Sequence, residues 1–536
     1  MNFLLRKIFT SLFEGFAIWR NSKNHSSLMQ TLRKRIVFSS VFGALVFLSI
    51  SYELADIMVI SRFRTRVVKK NFIKDEIIKR ADIVDRNGEL LATSIRTSSC
   101  YADPSVVIDA DETAAKLSNI QGMPDADKIK QKLADKNKHF VWLLRHVTPK
   151  VQETVMNLGL PGIHFQKDYK RIYIQDNLFS HVIGCCNVDG IGVCGLEKEF
   201  SNELNKAGNL NKKLVTTFSL QLQTILHEEM KEAIGKYRAV GGNAILMSTK
   251  GEILAMISLP DFNPNDLKNS SSDAMFNRNT LAVVEQGSVS KILTVAIALD
   301  SGSAALGSVF DASEPIRVGR FSINDFRGKK RRLTLAEAFV FSSNIASAKM
   351  AQNFGVEVQK AYMKKFGMLD KVNLEIQEVG KPLIPRHWSE ATMMTVSYGY
   401  GLAVSPLTLL AAVSSIVNDG IRVKPTLIYG KRQKFLEGED RVVSSQTSKI
   451  ARDLMRAVVC FGTARKAAID GVDIIAKTGT AYKTQGKSYG VDGQRKRVTT
   501  LIGGFPKDKP EYMLLVSIDD PKPTPDSFGF ATAGYN

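Results

Sequence analysis

Ser288 and Lys291 stand three residues apart at the head of an apolar run, Ile292 to Leu299, in which Thr294 is the one polar residue. Residues at i and i+3 of a helix share a face, and a run this apolar predicts a helix buried on nearly every side. Burial takes an ammonium group out of water and lowers its pKa. A neutral amine beside a hydroxyl is a general base, and the hydroxyl it deprotonates becomes a nucleophile. The pair therefore predicts a serine acyl enzyme. Two plainer readings fit the pair taken alone: Ser288 as a helix cap, and Lys291 as a lysine reaching back to solvent.

A Ser-x-x-Lys string is expected about once or twice by chance in a chain of this size, so its company matters. Ser342-Ser343-Asn344 begins 54 positions after Ser288, and Lys477-Thr478-Gly479-Thr480 begins 189 positions after it. Val472, Ile474, Ile475 and Ala476 predict a strand running into Lys477, and glycine at 479 removes a side chain where a ligand backbone would lie against that strand. Lys477 with the hydroxyls of Thr478 and Thr480 suits a terminal carboxylate. The alternative for this segment alone is a hairpin edge with a solvated lysine.

The elements that must position these groups follow from the pattern around them. From about residue 216 onward, apolar helical stretches alternate with strands, and Val498–Phe505, a Pro506–Pro510 turn and Tyr512–Ile518 predict an antiparallel hairpin beside the Lys477 strand. Residues 62–215 mix short strands with charged helical stretches, such as Asp127–Leu144, and contain none of the three motifs. They predict a non-catalytic α/β pedestal.

Ser-x-x-Lys, Ser-x-Asn and Lys-Thr-Gly in this order resemble the motif set of penicillin-binding proteins and serine β-lactamases. The chain from about residue 80 to its end resembles a class B penicillin-binding protein, a monofunctional peptidoglycan D,D-transpeptidase. The similarity is carried by Arg80 to Gly88 with Leu90-Leu91-Ala92, His181 to Gly184, Gly195-Leu196-Glu197, Gly241 to Ile245 and Gly251 to Met256. Pro260 to Asn265, Asn277-Arg278, Gly399-Tyr400-Gly401, Ser405-Pro406 and Gly462-Thr463-Ala464 extend it. The family often has Thr-Ile-Asp where this chain has Thr217-Phe218-Ser219, and Glu-Pro-Gly-Ser where it has Gln286 before Gly287-Ser288. Ala81 and Ala476 replace common glycines. Thr532 to Asn536 looks like a point where relatives continue with a strand and helix, which implies a shortened transpeptidase domain.

The expected whole is an α+β multidomain fold: a cytoplasmic segment (1–35), a transmembrane signal anchor (36–60), a pedestal (62–215) that the resemblance makes of the dimerisation type, and a transpeptidase domain (216–536), with helices on an antiparallel sheet. The resemblance implies Ser288, Lys291 and Ser342 as catalytic residues. Asn344, Lys477, Thr478, Gly479 and Thr480 would bind substrate, with backbone N–H groups of Ser288 and Thr480 as the oxyanion site. The implied partners are peptidoglycan stem peptides and their lipid-linked precursor, β-lactams as covalent inhibitors, the membrane, a SEDS-family glycosyltransferase and other divisome proteins. A division-septum role is favoured by the short juxtamembrane segment and modest length. An elongation-type transpeptidase, a β-lactamase and a noncatalytic divisome scaffold or β-lactam sensor are the rivals.

At 536 residues the chain supports two or three domains. Ile36–Tyr52 is 17 residues without a charge, near the short limit for a membrane span, and flanking snorkelling extends it toward Ile60. No small-residue cleavage site follows, which predicts an uncleaved anchor rather than a cleaved signal peptide. Both flanks, 1–35 and 62–80, carry a net +6, so charge alone leaves the topology open. A cell-wall enzyme must act outside, which puts the N-terminus in the cytoplasm and the catalytic domain in the periplasm of the inner membrane. Leu5, Ile8, Phe9, Leu12, Phe13, Phe16 and Trp19 fall at helical spacing, as an interfacial or partner-binding helix or a poorly ordered tail.

The net charge of +20 suits anionic lipids and an acidic wall polymer. No helix-turn-helix, zinc or RNA-binding signature accompanies it, so nucleic acid is not expected. Five cysteines, Cys100, Cys185, Cys186, Cys194 and Cys460, give neither CxxC nor a His-bearing metal spacing, and no metal or cofactor is expected. One bridge among Cys185, Cys186 and Cys194, or three buried thiols, are both open.

Overall fold

The computed structural model describes residues 27–55, 79–210, 212–319, 321–431, 440–483 and 495–534. They fall in two units, Met1–Glu76 and Ile77–Asn536. In the first, helix α1 (Ser27–Ala55) contains a 20-residue stretch, Arg33–Tyr52, long and apolar enough to cross a membrane. Its 29 residues span about 44 Å, against a hydrocarbon core of about 30 Å. Phe38, Phe42 and Phe47 are exposed on it among the described residues. The helical spacing over Leu5–Trp19, the stretch 56–60 and the basic flank 62–78 lie outside the described residues.

The second unit opens with β1 (Asp82–Val84) and the long β2 (Leu90–Ala102), passes through α2 (Ala126–Leu133) to β3 (Val141–Val147) and β4 (Ile163–Tyr173), and makes a short hairpin of β5 (Cys185–Cys186) and β6 (Gly192–Cys194) before returning as β7 (Lys213–Val215). The order β3-β2-β1-β7, with β4 running antiparallel along β2 from Ala92↔Tyr173 to Ala102↔Ile163, makes one sheet. β1 and β7 are parallel. The helix expected over Asp127–Leu144 is corrected: helical structure stops at Leu133, and Leu144 sits in β3. Ile129 and Leu133 complete the buried face, and the run Phe140-Val141-Trp142 that follows the charged turn is β-branched and aromatic, which favours a strand.

The rest of the unit runs through α3 (Leu220–Lys236), β8 (Gly241–Ser248), β9 (Ile253–Leu259), α4 (Lys291–Asp300), α5 (Asn344–Lys365, two helices meeting at Gly355), α6 (Pro406–Val417) and α7 (Ser445–Phe461). β10 (Ile475–Tyr482), β11 (Arg497–Phe505) and β12 (Tyr512–Asp519) follow. The five strands are antiparallel in the order β10-β11-β12-β8-β9, so β10 is an edge. α3 packs on β8 and β9 through Met230, Ala244, Ile257 and Leu259. The strand expected over Val472–Ala476 begins later, at Ile475, and continues through Lys477-Thr478-Gly479-Thr480 itself.

One continuous core joins Ile83, Leu91 and Phe179 of the N-terminal part to Leu293, Leu410 and Met455 of the helical part. Helix α4 lies inside it, with Lys291 to Ala298 all buried, and its single hydroxyl is satisfied because Thr294 Oγ1 donates to the Ser397 carbonyl at 2.7 Å.

Candidate active site

Ser288 lies in a 3₁₀ turn, Gly287–Ser290, that leads into α4. Gly287 has φ of +57°, and a Cβ there would stand 2.6 Å from the Thr480 carbonyl oxygen, so only glycine lets the turn close on β10. Gly479 does the same from the strand: its Cβ would meet the Gln286 carbonyl and Val289 N–H at 2.9 Å. The missing side chain therefore makes room for the nucleophile turn. Ser288 is partly exposed, and α4 is preceded by Ser290 with no side-chain cap, so the capping reading fails.

Lys291 is fully buried, which removes the solvated reading. Its Nζ lies 3.1 Å from Ser288 Oγ and 3.2 Å from Ser342 Oγ, and donates to the Ser342 carbonyl (2.6 Å) and Asn344 Oδ1 (2.7 Å). Burial, and secondly the charge of Lys477, hold it well below the ordinary lysine range, with Asp325 opposing. A neutral amine has two N–H donors and one lone pair. The two oxygens that can only accept take both donors, which leaves the lone pair for a hydroxyl.

Ser342 has φ of +60°, a left-handed conformation that costs a non-glycine residue about 1–2 kcal/mol. The cost is met by what the turn presents: its carbonyl holds Lys291, and its Oγ receives Lys477 Nζ at 3.0 Å. Lys477 is itself fully buried, and burial brings its pKa down to about 7. The solvated-lysine reading fails for it too. It also donates to the Thr478 carbonyl at 3.2 Å and lies 5.7 Å from the Phe339 ring centroid. Thr478 Oγ1 bonds Thr463 Oγ1, and Thr480 Oγ1 accepts from the Ala533 N–H at 3.2 Å. Asn344 is partly exposed: Oδ1 is on Lys291, and Nδ2 donates one hydrogen to the Asn324 carbonyl at 2.8 Å, which leaves its second hydrogen free of that bond.

Sequence reasoning missed Asp325. Its carboxylate accepts from Ser343 Oγ (2.7 Å), Asn344 N (2.5 Å) and Ile345 N (3.0 Å), capping α5 from a separate loop and fixing the turn that carries Ser342 and Asn344. No local pattern marks an acid 18 positions from the serine it holds. Gln286 explains its own departure from the common glutamate: its Nε2 donates to the Val404 carbonyl at 2.9 Å, which a carboxylate could not do.

Residues 242–534 match the penicillin binding protein transpeptidase domain, and residues 77–217 match the penicillin-binding protein dimerisation domain. The chain is 33% identical over 465 residues to a probable peptidoglycan D,D-transpeptidase FtsI of Caulobacter vibrioides, covering 85% of this chain and 78% of the relative. It is 31% identical over 477 residues to the peptidoglycan D,D-transpeptidase FtsI of Escherichia coli, covering 83% and 79%. Penicillin binding protein 2X of Streptococcus thermophilus has a similar fold, with a TM-score of 0.66 and 23% identity over 83% of this chain and 76% of that one.

Proposed function

The chain belongs to the class B penicillin-binding proteins, and on that footing we propose that it crosslinks peptidoglycan stem peptides through an acyl enzyme on Ser288. The observation that carries the reading is the buried Lys291 Nζ, 3.1 Å from Ser288 Oγ and held by the Ser342 carbonyl and Asn344 Oδ1. Lys291 takes the Ser288 proton as Oγ attacks the carbonyl of the penultimate D-Ala. The N–H groups of Ser288 and Thr480 receive the oxyanion, a contribution of about a hundredfold or more per donor. Ser342 Oγ, between the two lysines, relays the proton to the departing terminal D-Ala. Lys477, with Thr478 and Thr480, holds the substrate carboxylate, and the second Nδ2 hydrogen of Asn344 meets the substrate amide. An amine of a second stem then attacks the acyl enzyme.

Residues 62–215 serve as the pedestal and 216–536 as the catalytic domain, and α1 anchors the chain with its N-terminus in the cytoplasm and the enzyme in the periplasm. The septum is the site of action, the lipid-linked precursor enters through a SEDS-family glycosyltransferase, and divisome proteins bind the pedestal. Resemblance to division enzymes supports this reading.

The test is labelling of membranes with a fluorescent penicillin. Stable label on the wild type, absent from Ser288→Ala, is the expected result; rapid release of the label would make the chain a β-lactamase, and no label on folded protein a scaffold.

The pH dependence of acylation follows from the two lysines. Lys291 must be neutral, so the second-order rate falls as pH drops through its depressed pKa. Lys477 must be charged to hold a carboxylate, so the rate also falls as pH rises through about 7. A bell with its alkaline limb near neutrality is expected; Lys477→Arg should move that limb upward.

A further inference from the structure

We propose that Cys185 and Cys194 are joined by a disulfide in the native protein, a staple across the β5–β6 hairpin beneath the nucleophile segment. This rests on the periplasmic placement above for the oxidising surroundings, but not for the geometry. The two residues are register partners on antiparallel strands, and their Sγ atoms lie 3.2 Å apart. The glycines on either side draw the strands together. Gly184 has φ of +78°, and a Cβ there would fall 2.0 Å from the Cys194 carbonyl oxygen; Gly195, at +62°, would place one 2.5 Å from the Val182 carbonyl.

The third thiol of the cluster is diverted. Cys186 Sγ donates to Glu197 Oε2 at 3.3 Å, and that carboxylate is locked between Arg80 and Arg171. Burial, with the Glu197 charge, pushes the Cys186 thiol up to about 12, which keeps it protonated and unreactive. Cys194 differs: it is partly exposed at the hairpin, while Cys185 is buried.

Cys194 is thus the thiol that meets an oxidant, here a disulfide-bearing oxidoreductase or oxidised glutathione. Its thiolate attacks one sulfur of the donor disulfide, forming a mixed disulfide and releasing one donor thiolate. Cys185 then gives up its proton and attacks Cys194 Sγ, and the second donor thiolate leaves. Two electrons and two protons pass from the pair to the donor, which becomes a dithiol, or two molecules of reduced glutathione.

The hairpin's neighbours say what the staple would stiffen. The Gly195 N–H donates to both carboxylate oxygens of Glu378 at 3.3 Å, and the Glu378 carbonyl accepts from Thr280 Oγ1 at 2.5 Å. Thr280 heads the segment that runs through Val284 and Gln286 to Ser288.

The experiment uses the detergent-purified full chain, equilibrated with oxidised and reduced glutathione, acid-quenched, alkylated and mapped by mass spectrometry. A Cys185–Cys194 crosslinked peptide in essentially all molecules under oxidising conditions, with Cys186 alkylated after unfolding, is expected. Cys186→Ser should leave the crosslink intact, and Cys194→Ser should abolish it. Crosslinks through Cys186, or free thiols in wild-type protein that still takes up fluorescent penicillin, would overturn the proposal. Acid trapping of whole cells should find the same bond. Thiols free in cells but linked in the purified protein would overturn the native bond and the periplasmic placement together. A protein that is linked but does not take up penicillin would refute the enzymatic reading and leave the staple standing.

Discussion

Lys291→Met is expected to slow acylation by a penicillin about a thousandfold while the protein stays folded. General-base catalysis contributes about 10²–10⁴ in rate, and no other group among the described residues has a lone pair placed toward Ser288 Oγ. Methionine matches the volume of the buried stem, so the packing of α4 is kept. The cost is to the Ser342 carbonyl and Asn344 Oδ1, which lose their donor at about 1–3 kcal/mol per unsatisfied group. A lowered melting temperature with a cooperative transition should therefore accompany the lost rate. Lys291→Arg tests the protonation argument separately, because guanidinium does not lose its proton in proteins. It should be as slow as the methionine variant. An arginine variant near wild-type rate would mean that charge, not basicity, is what position 291 supplies.

Glu197→Ala is expected to destabilise the second unit by about 3–5 kcal/mol, read as a shift in the urea midpoint. Glu197 is fully buried, and its carboxylate accepts from Arg80 Nε at 2.9 Å and Arg171 Nε at 2.5 Å. Arg80 also donates to the carbonyls of Gly190 and Glu197, to Ser201 Oγ and to Asn205 Oδ1, while Arg171 reaches the Ala81 carbonyl and Ser94 Oγ. One carboxylate thus bridges two buried guanidinium groups that tie four segments together. Removing it leaves both charges without a counter-ion, and among the described residues Arg171 Nη2 already has no hydrogen-bond partner. Glu197→Gln keeps the shape and one acceptor oxygen, so it should fall between. Neither variant touches Ser288, so the penicillin-labelled fraction should track the folded fraction. A stable Glu197→Ala protein would show that water replaces the carboxylate.

Much of the site was written locally. An eight-residue apolar run needs no partner in view to be a buried helix, and a lysine at its head goes in with it. The hairpin of β11 and β12 was legible because alternation and a proline-bounded turn are short-range properties. The same short-range reading failed at Asp127–Leu144, where charges suited a helix but a neighbouring strand offered Val141–Val147 its ladder. That choice is made by hydrogen-bond partners distant in sequence.

What the chain determined by itself was the set of groups and their chemistry: a serine and lysine on one turn, a serine and asparagine two residues apart, and a lysine at a strand. Tertiary structure decided their electrical state and direction. Lys477 is buried by the Ser342 turn as well as by its own strand, Asn344 is turned toward Lys291, and Asp325 comes from another loop to hold that turn in place. Residue type sets what a group can donate or accept. Its pKa and its free lone pair depend on which atoms displace water around it, and those atoms lie dozens to hundreds of positions away.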